Sequence, residues 1–210
     1  MGLPVPERQS PGHRPVVAFD FDGTLTTRDS FTAFLAWRAG PIRYALGLLR
    51  LLPELAHYAV RRDRGRLKAA AVKEFLSGMT PDALVQAAET FAEIKIMALL
   101  RPDAVATWRR WKDSGCAMLI VTASPELVVQ PFALRLGADG LIGTRLKIDD
   151  EGQITGDLDG VNCRGAEKVR RITAQFGTET LAAAYGDTRG DDEMLQMASV
   201  RGYRVFKGRP

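Results

Sequence analysis

The chain of 210 residues has only two cysteines, Cys116 and Cys163, and their separation fits no metal-binding spacing. A cysteine-based metal centre is thereby excluded, and the pair suits a reducing compartment, so a cytoplasmic location is expected. No lysine-rich run and no interleaved aromatic stripe occurs, and the net charge is a modest +4, mostly from arginine. Nucleic acid is therefore set aside as a partner. Repeats and low-complexity segments are absent, which excludes solenoids and disordered linkers. The first residues, Met1 to Arg14, hold no apolar segment of the kind a signal peptide needs. With Pro4, Pro6 and Pro11 and the adjoining Pro15, they read as a flexible tail. What remains is 46% hydrophobic, enough for a sizeable core in one domain plus an insertion.

The most informative stretch is Asp20-Phe21-Asp22-Gly23-Thr24, directly after the apolar run Val16-Val17-Ala18-Phe19. A short run apolar on both faces reads as a central strand of an α/β sheet, and such sheets bind ligands at the carboxyl ends of their strands. Taken alone, Asp-x-Asp-Gly is equally a surface turn. Three later segments change the balance. Ala117-Met118-Leu119-Ile120-Val121 is a second buried strand, ending in Thr122. Lys168 opens an apolar-periodic helix through Val169, Ile172 and Phe176. A lysine there opposes the helix dipole, which favours a functional role for it. A third strand, Leu181 to Tyr185, runs into Gly186-Asp187-Thr188-Arg189-Gly190-Asp191. Four acids, a hydroxyl and an amine at strand ends suit a phosphoryl group and a divalent metal.

These four motifs in this order resemble the haloacid dehalogenase-like phosphatase superfamily, from about Val16 to Phe206, and by spacing its phosphoserine-phosphatase-like branch. The resemblance implies an α/β, Rossmann-like three-layer core with a mostly parallel sheet and an inserted all-helical cap. It places the core at 15–28 and 101–210 and the cap at 29–100. It also implies an Mg²⁺-dependent phosphomonoester hydrolase. Asp20 is then the nucleophile that forms an aspartyl-phosphate. Asp22 is the general acid and then the base. Asp20, the backbone carbonyl of Asp22, Asp187 and Asp191 hold the metal, Asp191 being favoured by family spacing over its neighbour Asp192. Lys168 and the Thr122 hydroxyl bind the phosphoryl oxygens, helped by backbone amides after Asp20 and at Ala123. Bacterial receiver domains share an acceptor Asp, an acidic pair, a Thr and a Lys. They lack a second acid at the position of Asp22 and have no large helical insert; dehalogenases of the superfamily also lack that second acid.

Between the first two strands lie about a hundred residues, far more than one crossover helix needs. Expected there are helices from Ser30 to Arg38, stopped by Gly40-Pro41, from Ile42 to Val60, kinked at Pro53, from Arg66 to Leu76, and from a Thr80-Pro81 cap onward. A fifth, from Pro102 through Trp111, belongs to the core. After Thr122 the expected elements are a helix from Pro125 to Leu136 capped by Ser124, a strand near Leu141-Ile142 and a hairpin of Arg145–Ile148 with Gln153–Thr155. A helix from Asp191 to Ala198 and a last strand from Tyr203 to Phe206 complete the chain.

Substrate choice should lie in the cap. Asp29, nine residues after Asp20, matches an acid that phosphoserine phosphatases place near the substrate amine, as Asp instead of Glu. Thr122-Ala123-Ser124 stands where those enzymes usually read Ser-Gly-Gly, which departs from serine specificity. In the second cap helix Arg43, Gly47, Arg50, Glu54, His57 and Arg61 form one narrow stripe, and most of the rest is apolar. Such a helix either packs on its neighbours or lies at a membrane. It is too interrupted to span a bilayer, but Arg61, Arg62, Arg64 and Arg66 would meet anionic head groups at the inner face of the membrane. The stretch is similar to that of bacterial phosphatidylglycerophosphatase C. A lipid phosphate is therefore the first expectation for the substrate, and phosphoserine or histidinol phosphate the alternative.

Overall fold

The computed structural model describes residues 14–210, so the expected tail, apart from Arg14, lies outside the described residues. Arg14 itself is tied down: its guanidinium donates to the Gly115 and Cys116 carbonyls and pairs with Asp139.

Five parallel strands form one sheet in the order β3-β2-β1-β6-β7. These are β1 (Val16–Phe19), β2 (Ala117–Pro125), β3 (Gly140–Thr144), β6 (Leu181–Gly186) and β7 (Ala198–Tyr203). The remaining two, β4 (Leu146–Ile148) and β5 (Ile154–Leu158), form a separate antiparallel hairpin. Alternation along the strands sorts side chains into two layers. Val17, Phe19, Met118, Ile120, Ala183 and Tyr185 face a core shared with α5 (Pro102–Asp113) and α6 (Glu126–Leu136). Ala18, Leu119, Val121 and Ala184 face the opposite side, against α7 (Ala166–Phe176) and α8 (Asp192–Gln196). This is the three-layer α/β architecture the sequence implies. Beneath β1, Phe19 stacks on Tyr185 at 4.4 Å and tilts against Trp108 at 5.2 Å, while Trp111 Nε1 donates to the Tyr185 hydroxyl.

The segment between β1 and β2 supplies α1 (Ser30–Arg50), α2 (Leu52–Arg61), α3 (Arg64–Leu76) and α4 (Pro81–Leu99). Gly40 interrupts α1 with φ 72° and ψ 166°, a conformation open to glycine, so the expected stop appears as a kink. The second expected helix breaks at Leu51, ahead of Pro53, which sits in the first turn of α2 where a missing N–H costs nothing. Thr80 caps α4 by accepting from the Ala83 amide.

Three expectations need correction. The last strand lies at Ala198–Tyr203 and not at Tyr203–Phe206. The helix before it is only Asp192–Gln196, so the strand starts sooner; Gly202 leaves room for the Tyr185 ring, and Arg204 at φ 52° ends it. Phe206 packs on Phe19 and Tyr185 instead. Ser124 does not cap α6, because its hydroxyl is used elsewhere.

The apolar stretch in α1 and α2 is turned outward. Its polar stripe faces the protein: Arg43 and Arg50 both pair with Glu74 of α3, Glu54 pairs with Arg66, and Gly47 sits under the Phe75 ring. Most of its apolar side chains point away. Ile42, Leu49 and Leu52 are 78%, 60% and 54% exposed, and Leu51 is the one buried leucine of the run. Among the described residues no helix is long and apolar enough to cross a membrane.

Phe132 joins the layers, packing edge-on against Phe21 after β1 and against Phe91 of α4. Phe132→Ala should destabilise the fold by roughly 3–5 kcal/mol through lost burial and a residual cavity. Urea unfolding measures this, and a loss below about 1 kcal/mol would mean that the ring is not a keystone.

Candidate active site

Register brings the site together. Phe19 stands opposite Ile120 on one side and Tyr185 on the other, so Asp20, Thr122 and Asp187 leave the sheet at one edge. The Asp20 amide donates to the Tyr185 carbonyl at 2.8 Å, extending the ladder by one residue. The chain then turns at Gly23, whose φ is +84°. A Cβ there would lie 2.3 Å from Asp187 Oδ2, so glycine allows backbone and carboxylate to approach closely.

Lys168 is the centre of the arrangement. Gly165, at φ 62°, leads into α7, and the Lys168 ammonium is 1% exposed. Its three hydrogens are directed to Asp20 Oδ1 at 2.7 Å, Asp191 Oδ1 at 2.7 Å and the Val121 carbonyl at 2.6 Å. Burial opposes the charged amine, but the two carboxylates outweigh it and hold its pKa above the ordinary lysine range. Burial likewise works against Asp191, and Lys168 together with the Thr188 N–H and hydroxyl keeps that carboxyl below the ordinary range. Burial pushes the Asp20 carboxyl up to about 7 against the pull of Lys168.

Asp187 carries the unfinished part. Its Oδ1 is buried with no hydrogen-bond partner among the described residues, and burial and the Asp191 charge both push its pKa upward. Asp20, Asp187 and Asp191 each offer an oxygen, all within 4.8 Å of one another. Three crowded carboxylates against one ammonium, with one oxygen orphaned, fit a divalent cation held by oxygen ligands. Asp192 is exposed at the start of α8 and takes no part in this group.

Asp22 points the other way. Its Oδ1 accepts from the Ser30 amide at the first turn of α1 (2.7 Å), and its Oδ2 from the Ser124 hydroxyl (2.6 Å). Burial and the neighbouring Asp29 charge raise its pKa, with Ser124 and Ser30 opposing. Thr122 is fully buried; its hydroxyl accepts from the Ser124 amide at 3.0 Å and donates to Asp22 Oδ2 at 3.4 Å. It therefore meets Asp22, and it is Ala123 and Ser124 that line the adjoining cavity. Asp29 caps α1 by accepting from the Thr32 amide at 2.6 Å, and it also lines the cavity.

Sequence reasoning missed Ser124 as the partner of Asp22, and it missed Lys68 and Asn162. Lys68 reaches from α3 into the core, donating to the Ala123 carbonyl and to Asn162 Oδ1. Burial drives its pKa down to about 8, with Asp22 and Asp29 opposing. A signal was present: Lys68 shares a helical stripe with the buried Val72, Phe75 and Leu76. Asn162 offered none.

The cavity above these groups has a volume of about 710 Å³. Its floor is the acidic group with Lys168, and its wall includes Tyr44, Leu48, Leu51, Leu55, Leu67 and Phe75. A parallel sheet with paired acids, a buried amine and a glycine-permitted turn at its carboxyl edge defines a hydrolase of phosphoryl-transfer type. The sequence matches the haloacid dehalogenase-like hydrolase family over residues 17–196. The chain belongs to that family, in its phosphoserine-phosphatase-like branch of phosphatases. Protein CicA of Caulobacter vibrioides is 59% identical over 201 residues, covering 95% of this chain and 90% of that protein. Phosphoserine phosphatase of Halobacterium salinarum is 30% identical, covering 88% and 83%. The solved structure of a phospho-aspartyl intermediate analogue of phosphoserine phosphatase shares the fold, with a TM-score of 0.60 at 19% identity, covering 92% and 90%.

Gly23→Ala should lower turnover of p-nitrophenyl phosphate by roughly a hundredfold, since the added methyl, 2.3 Å from Asp187 Oδ2, displaces that carboxylate by about an ångström. The left-handed backbone should cost only about 1–2 kcal/mol of stability. Steady-state rates beside a urea melt test this; activity within threefold of the parent would show that the close approach is dispensable.

Proposed function

We propose that the chain hydrolyses a phosphomonoester through a phosphoenzyme formed on Asp20, and that the substrate is a lipid phosphate such as phosphatidylglycerophosphate. The observation that carries the chemistry is the Lys168 ammonium joined to Asp20 and Asp191 beside the unpartnered Asp187 oxygen. Asp20 attacks phosphorus, the ester P–O bond breaks, and the leaving alkoxide takes a proton from Asp22. Asp22, now a carboxylate, removes a proton from water, whose oxygen attacks phosphorus; inorganic phosphate leaves and the Asp20 carboxylate returns. Lys168 stays charged throughout and offsets the negative charge of nucleophile and phosphoryl oxygens. Ala123 and the turn after Asp20 would supply amides to the phosphate, and Thr122 keeps Asp22 and Ser124 in place. Asp20, Asp187, Asp191 and the Asp22 carbonyl would hold Mg²⁺. Such an ion supplies Lewis-acid charge neutralisation between carboxylate and phosphate.

Asp20→Asn should abolish turnover and the acid-labile phosphoenzyme, while Asp22→Asn should slow the reaction by about a hundred- to ten-thousandfold. Asp191→Ala should raise the Mg²⁺ concentration needed for half-maximal rate. Full activity in Asp20→Asn would remove the nucleophile from this scheme.

Two observations support the lipid reading. The cavity wall is apolar where it rises from the acidic floor, and that wall continues through Leu48 and Leu55 to the exposed face of α1 and α2. An amphipathic helix turned with its leucines outward suits an interface, each inserted leucine contributing up to about 1.5–3 kcal/mol. The runner-up is a soluble metabolite such as phosphoserine or histidinol phosphate, favoured by Asp29 at the cavity. Replacing Ile42, Leu49 and Leu52 together with Ser should leave the melting temperature and p-nitrophenyl phosphate turnover in place. It should lower binding to anionic vesicles, and turnover of a vesicle-borne lipid phosphate, by about tenfold or more. Failure of the parent protein to bind such vesicles would move the soluble monoester to first place.

A further inference from the structure

A second recess, of about 400 Å³, opens beside the catalytic cavity and shares Tyr58, Arg64, Asn162 and Arg164 with it. Arg62 completes its cationic wall. Among the described residues none of Arg62, Arg64 and Arg164 forms an ion pair. Asp63 is the one acid in the recess, and its Oδ1 is engaged by the Arg66 amide as the cap of α3. The start of α3 adds its own partial positive charge at Arg64 and Gly65. Burial pushes the Tyr58 phenol up, yet Arg64 and Arg62 more than offset it and hold the phenol below its usual range.

The recess lies at a turn of the backbone. Arg62 closes α2 at φ 57° and ψ 24°, a left-handed C-cap position that glycine fills without strain. Arg62 and Arg64, on either side of Asp63 at this turn, both line the recess. On the core side, Arg164 Nη1 donates to Thr188 Oγ1, and that hydroxyl donates to Asp191. The recess is thus built from the α2–α3 turn and from the loop before Lys168, and it joins the acidic floor through one hydroxyl.

We infer that this recess binds a second oxyanion of the substrate, a phosphate or carboxylate set apart from the ester that reacts at Asp20. The inference rests on the reading of Asp20 as the reacting end, and it narrows the substrate to molecules with two anionic groups. Guanidinium forks match either oxyanion in bidentate geometry.

Alkanediol bisphosphates compared with alkyl monophosphates of equal chain length test the inference. At one spacer length the parent should prefer the bisphosphate by about tenfold or more in kcat/KM, mostly through KM, and the preference should shrink as salt rises. Arg62→Gly, which relaxes the left-handed backbone, should hold or raise the melting temperature and still lose most of that preference. Arg64→Ala should lose it too. No preference at any spacer length, in protein that turns over p-nitrophenyl phosphate, overturns the subsite and leaves the catalytic reading intact. Absence of p-nitrophenyl phosphate turnover would instead remove the catalytic reading. If Arg62→Gly loses only vesicle binding and keeps the bisphosphate preference, the arginines serve membrane head groups and the inference falls.

Discussion

Everything at this site depends on one buried ammonium. Lys168 is almost wholly removed from water and is fully hydrogen-bonded, to two carboxylates and a carbonyl. Burying such a charge unpaired would cost several kcal/mol, so Asp20 and Asp191 have to be where they are for α7 to dock on the sheet. The converse also holds. Without Lys168, three carboxylates within 4.8 Å would repel one another at the end of β1 and β6. One proton-bearing side chain therefore ties the first strand, the last acidic loop and the helix between them into a single electrostatic unit. That unit has one oxygen too many, on Asp187, and the surplus is what makes it receptive to a cation and to a phosphate.

The division between Asp20 and Asp22 follows from the same geometry. Side chains two apart on extended backbone would share a face, but Asp22 stands in a turn with ψ 119° followed by Gly23 at φ 84°. Its carboxylate is thereby sent to the first turn of α1 and to Ser124, away from Lys168. Asp20 is held by an ammonium, whose charge works against burial to keep the carboxylate ionised, as the proposed role of nucleophile requires. The other is held by an amide and a hydroxyl, with burial and Asp29 favouring its protonated form. In the proposed scheme two chemically identical groups would take opposite duties because their neighbours differ.

Much of this was legible in the sequence. The central strands announce themselves as short apolar runs ending in Asp or Thr, and Lys168 stands out because a lysine at a helix start is electrostatically unwelcome. Less legible was anything decided by packing between distant segments. Ser124 reads as a helix cap until β2 runs on through Pro125 and points the hydroxyl at Asp22. The last strand, Ala198–Tyr203, carries Ser and Arg and a glycine, so it has no strand pattern; parallel pairing with β6 and the room Gly202 leaves for Tyr185 create it. The stripe along α1 and α2 was read correctly as a stripe, but which side faced the protein depended on Glu74 and Phe75 of α3, far along the chain.

The chain leaves β1 for α1 and returns from α4 side by side, and this crossing is wired to the turn after Asp20. Thr26 and Leu100 bridge as the chain leaves and returns, Thr27 donates to the Leu99 carbonyl, and the Arg101 amide donates to the Leu25 carbonyl. The Arg101 guanidinium then gathers the carbonyls of Gly23, Thr26 and Gly208, so the turn that positions Asp22, the crossing and the chain's last residues share one cation. Across the cavity, Lys68 of α3 holds the Ala123 carbonyl next to Ser124. Helices that carry the apolar wall and the arginine recess are thus anchored on both flanks of Asp22. Asp22 is itself held between the two, by Ser30 at the start of α1 and by Ser124 beside the Ala123 carbonyl. Under the proposed scheme, recognition of the distant part of a substrate and delivery of the proton to its leaving group would rest on the same few hydrogen bonds.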